Sequence, residues 1–145
     1  MLFRSYLEVC EELGDVHGKA IALGNMGASY RNLGQIYQAL QCFEKELRIV
    51  EASGDRSLQF HAHTNVGLCY RDVGEYHKAL HCYEASLAVA IATGCKEDEG
   101  GAYANLSNVY RYLGDTNKAL EYSKKSLKLA KELNDLRGQI GRAHV

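Results

Sequence analysis

Asn65-Val66-Gly67-Leu68-Cys69-Tyr70-Arg71-Asp72-Val73-Gly74 is the middle of three copies of one segment. The copy before it is Asn25-Met26-Gly27-Ala28-Ser29-Tyr30-Arg31-Asn32-Leu33-Gly34. The copy after it is Asn105-Leu106-Ser107-Asn108-Val109-Tyr110-Arg111-Tyr112-Leu113-Gly114. The copies start 40 residues apart, and an Ala-Leu pair follows each, at Ala39-Leu40, Ala79-Leu80 and Ala119-Leu120. A fixed period of this length signals stacked units, each of which buries its apolar face only against its neighbours.

Composition narrows the class. The 145 residues contain no proline, so nothing interrupts long helices. A formal net charge of −1 lacks the basic excess that a nucleic-acid partner would demand. No apolar run approaches the roughly 20 residues of a membrane span, and Met1-Leu2-Phe3-Arg4 leads straight into an amphipathic pattern rather than a secretory signal. Cys10, Cys42, Cys69, Cys82 and Cys95 are odd in number and fall mostly within helical patterns, which suggests reduced thiols and a cytoplasmic, intracellular setting.

Each repeat carries two stripes with helical spacing. Leu23, Met26, Gly27 and Tyr30 lie at i, i+3, i+4 and i+7, the buried face of a first helix, helix A. Leu33-Gly34 ends it, because glycine takes the left-handed conformation most easily. Tyr37, Leu40, Phe43, Leu47 and Val50 form the stripe of a second helix, helix B, and Gly54-Asp55 breaks the pattern, with Asp55 placed to cap the next helix. Equivalent breaks are read at Gly14-Asp15, Gly94-Cys95 and Asn134-Asp135.

The expected organisation is one array over 1–145. Full helix pairs occupy 14–53, 54–93 and 94–133. Residues 1–13 are a helix B of a truncated repeat, with Phe3, Leu7 and Gly14 aligning on Phe43, Leu47 and Gly54. Residues 134–145 are the start of a further helix A. The fold class is all-α, a right-handed superhelical solenoid of antiparallel helix pairs, with about three full repeats and half repeats at both ends.

The pattern resembles the tetratricopeptide repeat, whose large apolar residue, Leu-Gly, Tyr, turn Gly, Ala and aromatic fall on Leu23, Met26-Gly27, Tyr30, Gly34, Ala39 and Phe43. The second copy matches with Val66-Gly67, Tyr70, Gly74, Ala79 and Tyr83. The third departs twice: Ser107 replaces the glycine and Ser123 the aromatic. The long period, the asparagine before the Leu-Gly position and the Gly-Asp junctions are similar to the arrays of the LGN/Pins spindle-orientation adaptors, of kinesin light chains and of large multi-repeat scaffolds. The resemblance implies a protein-binding scaffold or adaptor, not an enzyme, with helix A lining a concave groove.

A wheel of 100° per residue separates the faces of helix A. The groove candidates are Asn25, Arg31 and Asn32; His61, Asn65 and Arg71; and Asn105, Asn108, Arg111 and Tyr112. Arg31, Arg71 and Arg111 form a ladder, and so do Asn25, Asn65 and Asn105. Arginine offers a planar donor fork to carboxylates, and an asparagine amide both donates to and accepts from a peptide backbone. The expected ligand is therefore an extended acidic peptide or protein segment. The alternative is that arginine complements a helix C-terminus, that asparagine packs between repeats, and that the chain acts as a structural spacer or a self-associating segment of a longer array. End-to-end self-association is expected from the complementary half repeats.

Other constellations carry less. His77 and His81 lie at i, i+4 beside Cys82, a spacing that can hold zinc, but no third ligand follows at a recognisable spacing. Cys42 and Cys82 sit at the same place in adjacent repeats and read as small apolar packing. Lys96-Glu97-Asp98-Glu99 reads as a solvated helix start, and no catalytic triad or phosphate loop is present. Neither cofactor nor metal is expected.

Overall fold

The computed structural model describes residues 2–144, apart from the side chain of Phe3. The described residues form seven helices: α1 (Leu2–Leu13), α2 (Val16–Asn32), α3 (Ile36–Ser53), α4 (Arg56–Asp72), α5 (Tyr76–Thr93), α6 (Lys96–Tyr112) and α7 (Thr116–Ala143). Helices α2, α4 and α6 are the A helices, and each packs on the helix that follows it. Helix α4 also packs on α3, α6 on α5, and α1 on α2. The result is an all-α helical-repeat solenoid.

Glycines set the turns. Gly14, Gly34, Gly54, Gly74, Gly94 and Gly114 all have φ between +67° and +82°, and no other described residue has positive φ. After each A helix the chain closes with the same bond: the amides of Gln35, Glu75 and Asp115 donate to the carbonyls of Tyr30, Tyr70 and Tyr110 at 2.8–2.9 Å. Side chains cap the starts of α2, α4 and α7, whereas Gln35 and Glu75 make no such bond at α3 and α5. Asp15, Asp55 and Asp115 accept from the amides of Gly18, Leu58 and Lys118 at 2.9–3.1 Å. Cys95 makes no such cap, but Glu97, Asp98 and Glu99 occupy the first turn of α6, where negative charge complements the helix dipole.

The two departures of the third repeat are one change. A Cβ on Gly27 would stand 2.6 Å from the Phe43 ring, and one on Gly67 would stand 2.7 Å from the Tyr83 ring. The glycine exists to admit the aromatic ring. Where the ring is lost at Ser123, the glycine is no longer required, and the Ser107 hydroxyl donates to the Ala119 carbonyl at 2.7 Å. The aromatic volume moves one position along α7: Tyr122 stacks on Tyr110 and Tyr103, with ring centroids 5.6 and 5.9 Å apart.

Tyr70 joins two repeats. It packs against the cluster around Phe43 and Val66 and against that around Tyr83 and Leu106. Its hydroxyl donates to Glu44 at 3.0 Å, and burial together with that carboxylate pushes its pKa up to about 12. Cys10, Cys42, Cys69 and Cys82 are buried, and all five thiols are free.

The expected break at Asn134-Asp135 is corrected. Helix α7 runs unbroken for 28 residues, from Thr116 to Ala143, so residues 134–143 extend helix B and start no separate helix A. At the earlier junctions glycine adopts positive φ freely, whereas asparagine there meets a steric cost. The helix after each earlier junction also gains a buried anchor. Phe60 of α4 is buried, whereas its register counterpart Ile140 is exposed. With no anchor to gain, continued helical hydrogen bonding prevails. The expectation for the Phe3 side chain lies outside the described residues.

Candidate functional site

The A helices present two faces. On α2, Leu23 and Gly27 are buried and Met26 and Tyr30 half-buried, while Asn25 and Asn32 are exposed and Arg31 is half-exposed. On α4, His61 is exposed and Asn65 and Arg71 are half-buried; on α6, Asn105 and Asn108 are half-buried and Arg111 and Tyr112 exposed.

The arginines are not equivalent. Arg31 Nε lies 2.7 Å from Asp72 Oδ2, and Arg71 Nη2 lies 2.9 Å from Asp72 Oδ1. One carboxylate thus draws guanidinium groups from two adjacent repeats onto a single point. Burial alone would raise the Asp72 pKa, but the bonds from Arg31 and Arg71 outweigh it and hold the carboxyl below its usual value. Arg111 differs: its Nη2 donates to the Asn108 amide oxygen at 2.6 Å, and its guanidinium lies 6.0 Å from the Tyr112 ring centre. Tyr112 in turn stacks on Tyr76 of α5, nearly parallel at 5.0 Å. Asn108 and Arg111 wall a surface depression of about 360 Å³ between α6 and α7, with Ala104, Ser107 and Ser126 among its other lining residues.

A third group lies beneath this face. Glu46 of α3 is 6% exposed, and its Oε2 has no hydrogen-bond partner. A Cβ on Gly24 would stand 2.7 Å from Glu46 Oε1, so the carboxyl occupies space that only a glycine on α2 leaves open. Burial pushes the Glu46 pKa up to about 7, and the neighbouring Asn65 amide of α4 opposes this only in part. The candidates Arg31 and Arg71 are therefore engaged with an acidic group of the chain itself, Asp72, and Asn65 stands beside a second, Glu46. The periodic reading missed Glu46. Its signal is a charge at the position that carries Ser86 and Ser126 in the other repeats, aligned with a glycine where they have Thr64 and Ala104.

One other expectation is refined. Glu99 is not solvated: it is buried, 2.8 Å from Lys96 Nζ and accepting from the Tyr103 hydroxyl at 3.1 Å. Glu97 pairs with Arg137 of the α7 extension. His63 packs within 3.7 Å of Glu51, and burial lowers its pKa.

The sequence profile described as "Tetratricopeptide repeat" matches residues 18–92 and again 58–132. No match was found among curated protein sequences. Among solved structures, BtubC (BKLC) from P. vanneervenii superposes with a TM-score of 0.83 at 18% identity, over 91% of this chain and 55% of that one. The chain thus spans about half the length of that protein's structure. The TPR domain of Arabidopsis FLU superposes with a TM-score of 0.75 at 18% identity, covering 81% of this chain and 98% of that domain. The TPR2AB domain of yeast Sti1, in its complex with pHSP90, gives 0.66 at 18% identity, over 86% of this chain and 48% of that one. No helix among the described residues is long and apolar enough to cross a membrane.

Proposed function

From the premise that this chain belongs to the tetratricopeptide repeat family, we propose that it is a protein-interaction scaffold, not an enzyme, and that it holds an extended acidic peptide along the concave A-helix face. Family membership and the resemblance to the Sti1 domain in complex with pHSP90 support the general reading. The acidic preference rests on one observation: Arg31 and Arg71 share the single carboxylate of Asp72, whereas Arg111 of the next repeat bonds the Asn108 amide oxygen. Arg111 is bonded to an amide rather than an anion, so it is the cation most ready to exchange its partner for a carboxylate of the ligand. Asn105 and Asn108 stand beside it to bond the ligand backbone. Arg31 and Arg71 contribute one net positive charge between them. Cytoplasmic residence and an adaptor role go with this reading.

The test is fluorescence polarisation with a fluorescein-labelled Glu/Gly/Ser peptide and its Gln/Gly/Ser counterpart. The acidic probe binds more tightly, loses affinity with added salt, and is weakened about tenfold or more by Arg111→Gln, since a charged hydrogen bond contributes about 1.5–3 kcal/mol. Equal binding of both peptides, or an Arg111→Gln variant that binds as the parent does, sinks the acidic reading.

A second reading is self-association of the 145-residue chain. Leu2, Tyr6, Val9 and Leu13 form an exposed stripe on α1, and Leu136 and Ile140 are exposed on the α7 extension. Glu8, Glu11 and Glu12 accompany the first, and Lys128, Lys131 and Arg137 the second. Such a contact is heterologous and gives open chains. Light scattering that stays monomeric with rising concentration, or association unaffected by Val9→Asp, removes it.

A further inference from the structure

We propose that the Gly24–Glu46–Asn65 junction is a second recognition point in the groove, taking a basic side chain of the bound peptide, so that the ligand carries a cation toward the first repeat and an anion toward the third. This rests on the groove reading above and adds to it.

The argument begins with a cost. A buried carboxyl whose Oε2 has no partner is unfavourable in the free protein. The fold does not need it. At the same register position Ser86 bonds its hydroxyl to the Tyr83 carbonyl at 2.8 Å, and Ser126 bonds the Gly100 carbonyl at 2.9 Å. A residue that breaks a rule its own repeats obey marks a site held for function.

The surroundings give it a route to the groove. Gly24 is half-exposed on α2, and it places no side chain over the carboxyl. From α4 comes half-exposed Asn65, whose amide favours the ionised carboxyl. An ammonium or guanidinium group entering beside Gly24 replaces that amide and satisfies the carboxylate as a charged pair. The incoming cation draws the proton off Glu46, so binding is coupled to ionisation of a group held near neutrality by burial. The groove then has opposite ends. Near the first repeat the cation Arg31 is tied to Asp72 and the unmet demand is Glu46; in the third repeat it is Arg111.

The experiment uses the whole chain and two labelled peptides of equal length. One is the Glu/Gly/Ser peptide; the other carries the same acidic block and a lysine block at its far end. In the parent protein the mixed peptide binds about tenfold more tightly than the acidic one. In Glu46→Ser, the residue of the other two repeats, and in Glu46→Gln, that ratio falls to about one. In protein with 13C-labelled glutamate, the mixed peptide moves the Glu46 carboxyl titration to lower pH and the acidic peptide does not. A ratio near one in the parent, or a ratio kept by both variants, overturns this inference and leaves the acidic groove standing. Failure of both peptides to bind the parent overturns both.

Discussion

Glu46→Gln removes a titrating group and keeps its shape, which makes its effect on stability a direct measure of the buried carboxyl. The folded chain holds this group at about 7, whereas an unfolded chain releases the proton near 4.3. Between those values the folded state binds more protons than the unfolded state, so stability falls as pH rises. The loss is complete above the folded value. One pH unit corresponds to about 1.4 kcal/mol, and the whole shift therefore amounts to about 4 kcal/mol. The Gln variant does not titrate. It is expected to match the parent within about 1 kcal/mol at acidic pH, and to exceed it by about 3–4 kcal/mol in mildly alkaline buffer, a Tm gain of roughly 10–15 °C for a domain of this size. Other groups titrate alike in both proteins, including His63, whose lowered pKa destabilises the fold on the acid side. Taking the difference between parent and variant removes them. Circular-dichroism melts across the pH range give the result. A parent–variant difference that is flat with pH, or one that grows toward acid, would refute the buried-carboxyl argument.

Further outcomes follow from the packing. Tyr70→Ala is expected to cost about 3–5 kcal/mol as a large aromatic truncation, Tyr70→Phe about 1 kcal/mol for the lost Glu44 bond, and Arg71→Ala less than either; urea melts in which Arg71→Ala is the most damaging reverse the two faces of α4. Gly27→Ala is expected to destabilise by about 1–3 kcal/mol through collision with the Phe43 ring, with part of the loss recovered by Phe43→Leu in the same chain; a neutral Gly27→Ala shows the contact to be loose. Asn134→Pro is expected to remove amide-exchange protection from residues after it while leaving that of α2 to α6 in place, since the α7 extension buries no residue; global loss of protection would show that the extension holds the array together. Cys95 is expected to react with a thiol reagent well before the other four cysteines, which are buried; simultaneous reaction of Cys69, whose pKa burial raises to about 11, contradicts the packing.

The helix pairs and the two faces of helix A were legible because they depend on spacing alone. Leu23 and Gly27 must face inward if Asn25 and Ala28 face outward, whatever surrounds them. The arginine ladder was legible as a period, but its charge state was not. Asp72 occupies the place of Asn32 and Tyr112, so a reading that seeks sameness passes over the one carboxylate that ties Arg31 to Arg71. Glu46 was hidden by the same habit. Phe43, Glu46 and Val50 share a helical stripe, and a stripe is read as apolar unless each exception is followed to its neighbour. The unbroken α7 was misread because Asn134 resembles a turn residue locally. Whether a turn forms depends on what the next helix buries, which is a tertiary matter.

The pairing of Gly27 with Phe43, of Gly67 with Tyr83 and of Ser107 with Ser123 limits how such an array can be recombined. Each matched set lies between one A helix and the B helix that follows it. Exchange, duplication or deletion in whole units cut at Gly54 or Gly94 carries both members along and preserves the fit. A cut at Gly34, Gly74 or Gly114 separates them. Joining α2 to a copy of α7 would leave a ring-sized hole above Gly27, and joining α6 to a copy of α3 would drive Phe43 into Ser107. The repeats are therefore interchangeable as modules in one reading frame of the period and mutually incompatible in the other.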